Sequence, residues 1–284
     1  MKKRFCIFIS ICFGLSLVSA GLFHFLGGNY QSIPGTLFAS GYMFIPMLSV
    51  LLTQMIVGEK AFSSCGFSFR INRWWFVAWA GFLVLPVLAA LVSVMMPGVG
   101  ISLETEYMQK SMDSFAAQGL TTGPWGILGI TCGSGLLAGA TINALFALGE
   151  ETAWRGYLAN CLDSLGFWKK SLVIGLIWGV WHAPLILMGH NYPSNPAAGV
   201  AMMTALCILL TPIMMFLRER AGSVMAAAIA HGTMNAIAGI ALMLLTGYNE
   251  FLCGMTGLAG FIIMAVADIL ILVAGKNQSF NQNS

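Results

Sequence analysis

The sequence predicts an all-α protein: a polytopic membrane helix bundle of about eight transmembrane helices, with N- and C-termini in the cytoplasm. Three observations lead there. Of the 284 residues, 58% are hydrophobic and only 8% charged, against about 25% charged in a soluble domain; the mean hydropathy is +0.85. The apolar residues fall into runs of about 20, the helical length that crosses a ~30 Å hydrocarbon layer. The basic residues gather in alternate gaps between those runs, which sets the orientation.

The runs cover 5–26, 37–57, 75–96, 125–149, 171–189, 198–217, 223–246 and 251–274. Lys2, Lys3 and Arg4 precede the first. Lys60, Arg70 and Arg73 follow the second. Arg155, Lys169 and Lys170 follow the fourth, Arg218 and Arg220 the sixth, and Lys276 the last. Only Lys110 falls in a gap of the other set. The first run also fits a cleaved signal peptide, with its basic start and Val18-Ser19-Ala20. Its apolar stretch continues through Leu22-Phe23-His24-Phe25-Leu26, which favours a retained helix.

The gap 97–124 alternates Leu103, Met108, Met112 and Phe115 with Glu104, Glu106, Lys110 and Asp113, as an interfacial amphipathic helix or a solvated loop would. The gap 156–170 carries Tyr157, Phe167, Trp168 and Lys169-Lys170, which reads as aromatic-belt and headgroup chemistry. No soluble domain, strong repeat or low-complexity tract is present, so residues 1–284 read as one integral membrane domain. The seven cysteines are scattered without a C-x-x-C pair, which argues against a zinc knuckle or a disulfide framework. The expected setting is a multi-pass protein of a cell membrane, of the bacterial plasma-membrane kind. Its partners would be lipids and not nucleic acid.

Against this apolar background, a few polar residues stand out. Glu150 and Glu151 sit back to back at the end of the fourth run, followed by Arg155. A charge at membrane depth costs roughly 2.5–3.5 kcal/mol on insertion scales, so it is read as a functional site whose partners must be found. Glu151 and Arg155 are spaced i, i+4 and can pair along one face, leaving Glu150 to face another helix. The plain alternative is that both acids end the helix in headgroup water. His182, in Trp178-Gly179-Val180-Trp181-His182-Ala183-Pro184, lies twelve residues past Lys170, about 18 Å along a helix. Trp178, one turn earlier, can pack on its ring, and Pro184 removes a backbone donor. His231 lies eleven residues past Arg220, about 16 Å deep, and shares a face with Asn235. A polar interhelical clamp is the plain alternative for these two. Gly135-x-x-x-Gly139 and Gly175-x-x-x-Gly179 allow close helix approach, which would help bring the helices of Glu150 and His182 together. His24 and His190 fall near the other ends of their helices and read as interfacial. The three polar sites are then expected to converge in one cavity towards the cytoplasmic half.

A carboxylate beside two imidazoles and an amide suits attack of water on a peptide carbonyl. A carboxyl group taken out of water is tuned for proton exchange near neutral pH, and a His–Asn pair can donate to the tetrahedral oxyanion. Glu150, His182 and His231 also match a catalytic zinc set of two His and one carboxylate. The H-E-x-x-H spacing is absent, so the residues leave the choice between no cofactor and zinc open.

E-E-x-x-x-R, then aromatic-x-x-x-His, then His-x-x-x-Asn, in that order on separate helices, resembles the CPBP family. These are the CAAX proteases and bacteriocin-processing enzymes, also called the Abi family, among them the type II CAAX prenyl endopeptidases. The resemblance covers roughly residues 125–246, the expected catalytic core. It implies an intramembrane endopeptidase whose site faces the cytoplasm. With no soluble reading domain, recognition falls to the cavity and its lipid-side openings, so the expected substrate is a lipid-linked or membrane-associated peptide or protein. The resemblance implies Glu150 and His182 as the groups that activate water, His231 and Asn235 as oxyanion donors, and Glu151, Arg155 and Trp178 as supports. The family has been described both as metalloproteases and as metal-free glutamate proteases. Trp178 departs from the more frequent Phe and remains aromatic.

Two readings of other classes also accommodate the residues. One is a non-catalytic membrane immunity factor or chaperone-like partner, whose phenotype would survive Glu150→Gln. The other is a proton-coupled transporter, since buried acids and histidines form proton relays. No inverted repeat of helix breaks supports it.

Overall fold

The computed structural model describes residues 2–30 and 32–281, and the side chains of residues 3–30 and 32–274. Lys2 and Lys276, both counted in the charge alternation, have side chains outside the described residues. Among the described residues, ten helices account for almost all of the regular structure. They are α1 (Lys2–Phe25), α2 (Ile33–Val57), α3 (Arg73–Ser93), α4 (Glu106–Ala117), α5 (Pro124–Ala140), α6 (Ile142–Cys161), α7 (Phe167–Leu187), α8 (Pro196–Ala221), α9 (Val224–Leu244) and α10 (Leu258–Asn281). Gly100–Ile101 and Leu245–Thr246 form one short antiparallel ladder.

Among the described residues, six helices (α1, α2, α3, α7, α8 and α9) are long and apolar enough to span a membrane. The pair α5 and α6, bent by 47°, makes a seventh if it is one span. The apolar part of α10, Leu258–Ala274, is shorter. The eight expected runs thus correspond to helices, but the fourth is broken and the eighth is short by this measure.

The fourth run differs most from expectation. It is not one straight helix ending near Glu150. It bends at Thr141 (φ −123°, ψ −97°) and continues through Cys161. Segment Thr152–Leu158 takes the wider π-helical winding, which is rare and found mostly at functional sites. The helix continues past two acids because Arg155 and His231 both bond Glu151 inside the bundle. Arg155 and Tyr157 are therefore buried core residues, not parts of a charged aromatic loop. Lys170 is buried as well, paired with Asp163 at 2.9 Å. In α7 the ladder tightens at His182, whose N–H bonds the Gly179 carbonyl three residues back. Pro184 explains this: it has no N–H, and its ring crowds the carbonyl four residues earlier.

The glycine pairs join different helices from those expected. An added Cβ at Gly139 would lie 2.5 Å from Thr233 Cα, and one at Gly135 would lie 2.8 Å from Ile237 Cγ1. The first pair therefore seats α5 on α9. At Gly175 an added Cβ would lie 2.7 Å from Ile208 Cα, and at Gly179 it would strike Thr204, so the second pair seats α7 on α8. α1 belongs to the core, with Phe8 edge-on to Trp154 at 6.0 Å and Ser16 accepting from Trp181 Nε1 at 2.8 Å. The amphipathic α4 is capped by Thr105 and lays Met108 against Ile127 and Met243 of the bundle.

Polar contacts separate the two ends of the bundle. At one end Arg4 pairs with Glu59 at 2.6 Å, Asn72 bonds the Arg220 and Ala221 carbonyls, and Lys170 reaches Asp163. At the other, Tyr30 bonds His190, Ser194 bonds Glu250, and the Tyr192 hydroxyl donates to the Thr256 carbonyl. The basic loops thus share one end with the start of α1.

Candidate active site

Glu150, His182, His231 and Asn235 line one cavity of about 290 Å³, together with Trp178, Trp181 and Cys207. Glu150 is 2% exposed, and its Oε2 accepts from Trp178 Nε1 at 2.6 Å and from Trp154 Nε1 at 3.4 Å. Two indole donors therefore hold one oxygen of a carboxyl group buried away from water. Trp154 lies one helical turn beyond Glu150 and was not anticipated; the i, i+4 spacing was the available signal. Glu150 and His182 meet across Trp178, not through glycine faces.

The imidazoles are held by their Nδ1 atoms. His182 Nδ1 lies 2.8 Å from the Trp178 carbonyl oxygen, which can only accept, so Nδ1 carries the proton and the Nε2 lone pair is left free. His231 Nδ1 lies 2.9 Å from Glu151 Oε1. A carboxylate on one ring nitrogen fixes which way the other points. Glu151 also accepts from Arg155 Nη1 at 3.0 Å, with both side chains 0% exposed. Arg155 donates through Nη2 to Thr211 at 3.3 Å, and its guanidinium lies 4.1 Å from the centre of the Trp178 ring. One stack thus links the arginine, the indole and Glu150. Trp178 also touches both histidine rings, with centroids 5.7 Å from His182 and 5.5 Å from His231.

Glu150, His182 and His231, the set that zinc would use, line the cavity together. Among the described residues, no three His, Cys, Asp or Glu side chains are grouped to hold a metal ion. Each imidazole bonds a protein acceptor through Nδ1, which fixes the ring and leaves Nε2 as its other nitrogen, and Glu150 receives both indole donors on Oε2.

The cavity corrects two expectations. Its lining extends to Tyr30, His190, Asn191 and Thr256, which belong to the end of the bundle away from the basic loops. The polar groups do converge, but the space they share runs towards the opposite end from the expected cytoplasmic half. His190, expected to be an interfacial bystander, lines the same cavity as the two other histidines. His24 is exposed and lines a separate apolar groove. Nothing in the spacing pointed to Tyr30, His190 or Cys207, because loops and helix packing deliver them.

A buried carboxyl, two oriented imidazoles and an amide around a cavity define a class of site: one that can activate water and receive an oxyanion inside a membrane bundle. Residues 132–237, a little over a third of the chain, match the family model described as Rce1-like, type II CAAX prenyl endopeptidase. The match contains Glu150, Glu151, Arg155, Trp178, His182, His231 and Asn235, the residues on which the resemblance rests. The chain is also 41% identical, over 49 residues, to the CAAX prenyl protease 2 of Methanococcus maripaludis. That stretch covers 17% of this chain and 18% of the relative.

Proposed function

We propose that the protein is an intramembrane endopeptidase that hydrolyses a peptide bond in a lipid-linked or membrane-associated protein or peptide. The observation that carries this reading is the convergence of Glu150, His182, His231 and Asn235 on one cavity, with Glu150 buried and held by indole N–H groups. In this reading Glu150 and the free Nε2 of His182 flank a water. Glu150 takes one of its protons as the oxygen attacks the carbonyl carbon. His231 and Asn235 donate to the oxyanion that forms. The C–N bond then breaks as the proton passes to the leaving amine. For His231 to donate from Nε2 while Nδ1 bonds Glu151, its ring carries both protons, and the Glu151 carboxylate balances that charge. In this reading no step is assigned to a metal.

The relative's printed name and the Rce1-like match support a peptide tail carrying a lipid or apolar segment as the substrate. The setting proposed is a cell membrane. The test compares membrane and secreted peptides, by quantitative mass spectrometry, from cells lacking the protein and complemented with wild type or Glu150→Gln. New peptide termini are expected with wild type alone, both versions accumulating equally, and cleavage by the purified protein is expected to persist after chelation. Identical peptide sets with equal rescue of a phenotype would favour the non-catalytic partner instead.

A further inference from the structure

We propose that His190, held by Tyr30, is a substrate-contacting residue: it binds a peptide group of the substrate at the far end of the catalytic cavity. The inference rests on the protease reading above.

Four observations carry it. His190 lines the same cavity as Glu150, His182 and His231, although it comes from the connection after α7. Its Nδ1 lies 2.8 Å from the Tyr30 hydroxyl, and the rings meet edge to face at 5.4 Å. That bond spans two loops and fixes the imidazole in place. The residue is only partly buried, so part of it stays accessible where it lines the cavity. The other lining groups at this end, Asn191 and Thr256, are uncharged and polar.

The chemistry of the pair narrows the ligand. Burial pushes His190 down to about 4 and Tyr30 up to about 12, so both are neutral across the physiological range. A neutral imidazole offers one donor and one acceptor. Bonding Nδ1 to a hydroxyl, which can itself donate or accept, leaves Nε2 able to take either role. A peptide group presents both an N–H and a C=O, and pairs with such a nitrogen in either direction. A carboxylate, phosphate or ammonium group would find no opposite charge there. The substrate segment at this end is therefore an uncharged stretch of chain, held by its backbone.

A plain structural role, a clasp between two loops, makes a different prediction. The test uses purified protein and a nested set of quenched, uncharged apolar peptides, lengthened one residue at a time on either side of the bond cut. Wild type is expected to gain affinity at the length that first reaches His190. His190→Ala should raise KM about tenfold for peptides at or beyond that length, the scale of one hydrogen bond. Shorter peptides, kcat and the melting temperature should be unchanged. Tyr30→Phe should give a smaller KM effect confined to the same lengths. An equal effect at every length, or a fall in melting temperature that accounts for the loss, would assign the pair to the clasp and overturn the proposal. Wild type that cuts no peptide, with Glu150→Gln indistinguishable from it, would overturn the protease reading and this inference together.

Discussion

Trp178 is the side chain on which the contacts of the site meet. Its N–H grips Glu150, its carbonyl orients His182, and its ring lies beneath Arg155. Hydrogen bonds to charged groups are worth about 1.5–3 kcal/mol, and part of that is recovered when a second donor is near. Trp154 Nε1 is such a donor, on the same oxygen. Trp178→Phe keeps the stack and removes one N–H, so about a tenfold loss of kcat/KM is expected. Trp154→Phe alone should cost less, because its bond is longer. The double substitution should lose about a hundredfold or more, beyond the product of the singles, since the two donors share one acceptor. Strict additivity in steady-state kinetics would show that they do not back each other up. Glu150, His182, His231 and Asn235 were legible in the sequence because polar groups are costly at membrane depth and therefore conspicuous. His190 was not, because a histidine beside a loop looks the same whether it faces lipid headgroups or a cavity.

At the scale of elements, α6 shows what hydropathy can and cannot reveal. A falling apolar average near Glu150 reads as a helix end, yet the acid pair is answered from within by Arg155 and His231, and the helix continues. The glycine faces teach a related point. Small residues four apart mark a face made for close approach, but the spacing does not say which neighbour arrives. In the structure α5 meets α9, the helix of His231. This contact makes a measurable prediction. Gly139→Ala puts a methyl group 2.5 Å from Thr233 Cα, and overpacking of this kind costs about 1–3 kcal/mol. The melting temperature in detergent should fall by several degrees. Gly129→Ala, on the same helix with nothing within 4 Å of an added Cβ, should leave it unchanged or raise it slightly. Equal behaviour of the two would mean that α5 and α9 do not pack so closely.

At the scale of the whole molecule, charge and cavity point in opposite directions. Arg4, Arg70, Arg73, Lys169, Lys170, Arg218 and Arg220 share one end; Glu104, Glu106, Lys110, Asp113 and Glu250 share the other. The positive-inside rule assigns the first end to the cytoplasm. The cavity runs to the second, through Tyr30, His190 and Asn191. If both hold, the site is reached from outside the cytoplasm. Cysteine labelling decides this. In a background with the exposed Cys6 and the partly exposed Cys132 changed to serine, Asn191→Cys should react with a membrane-impermeant maleimide on intact cells. Lys169→Cys should react only after permeabilisation. The opposite pattern would invert the bundle, bring the cavity mouth into the cytoplasm as the family resemblance implies, and show that the basic loops do not set the orientation of this chain. The substrate's origin follows from the result: a segment displayed on the outer side in the first case, and a tail reaching the membrane from the cytoplasm in the second.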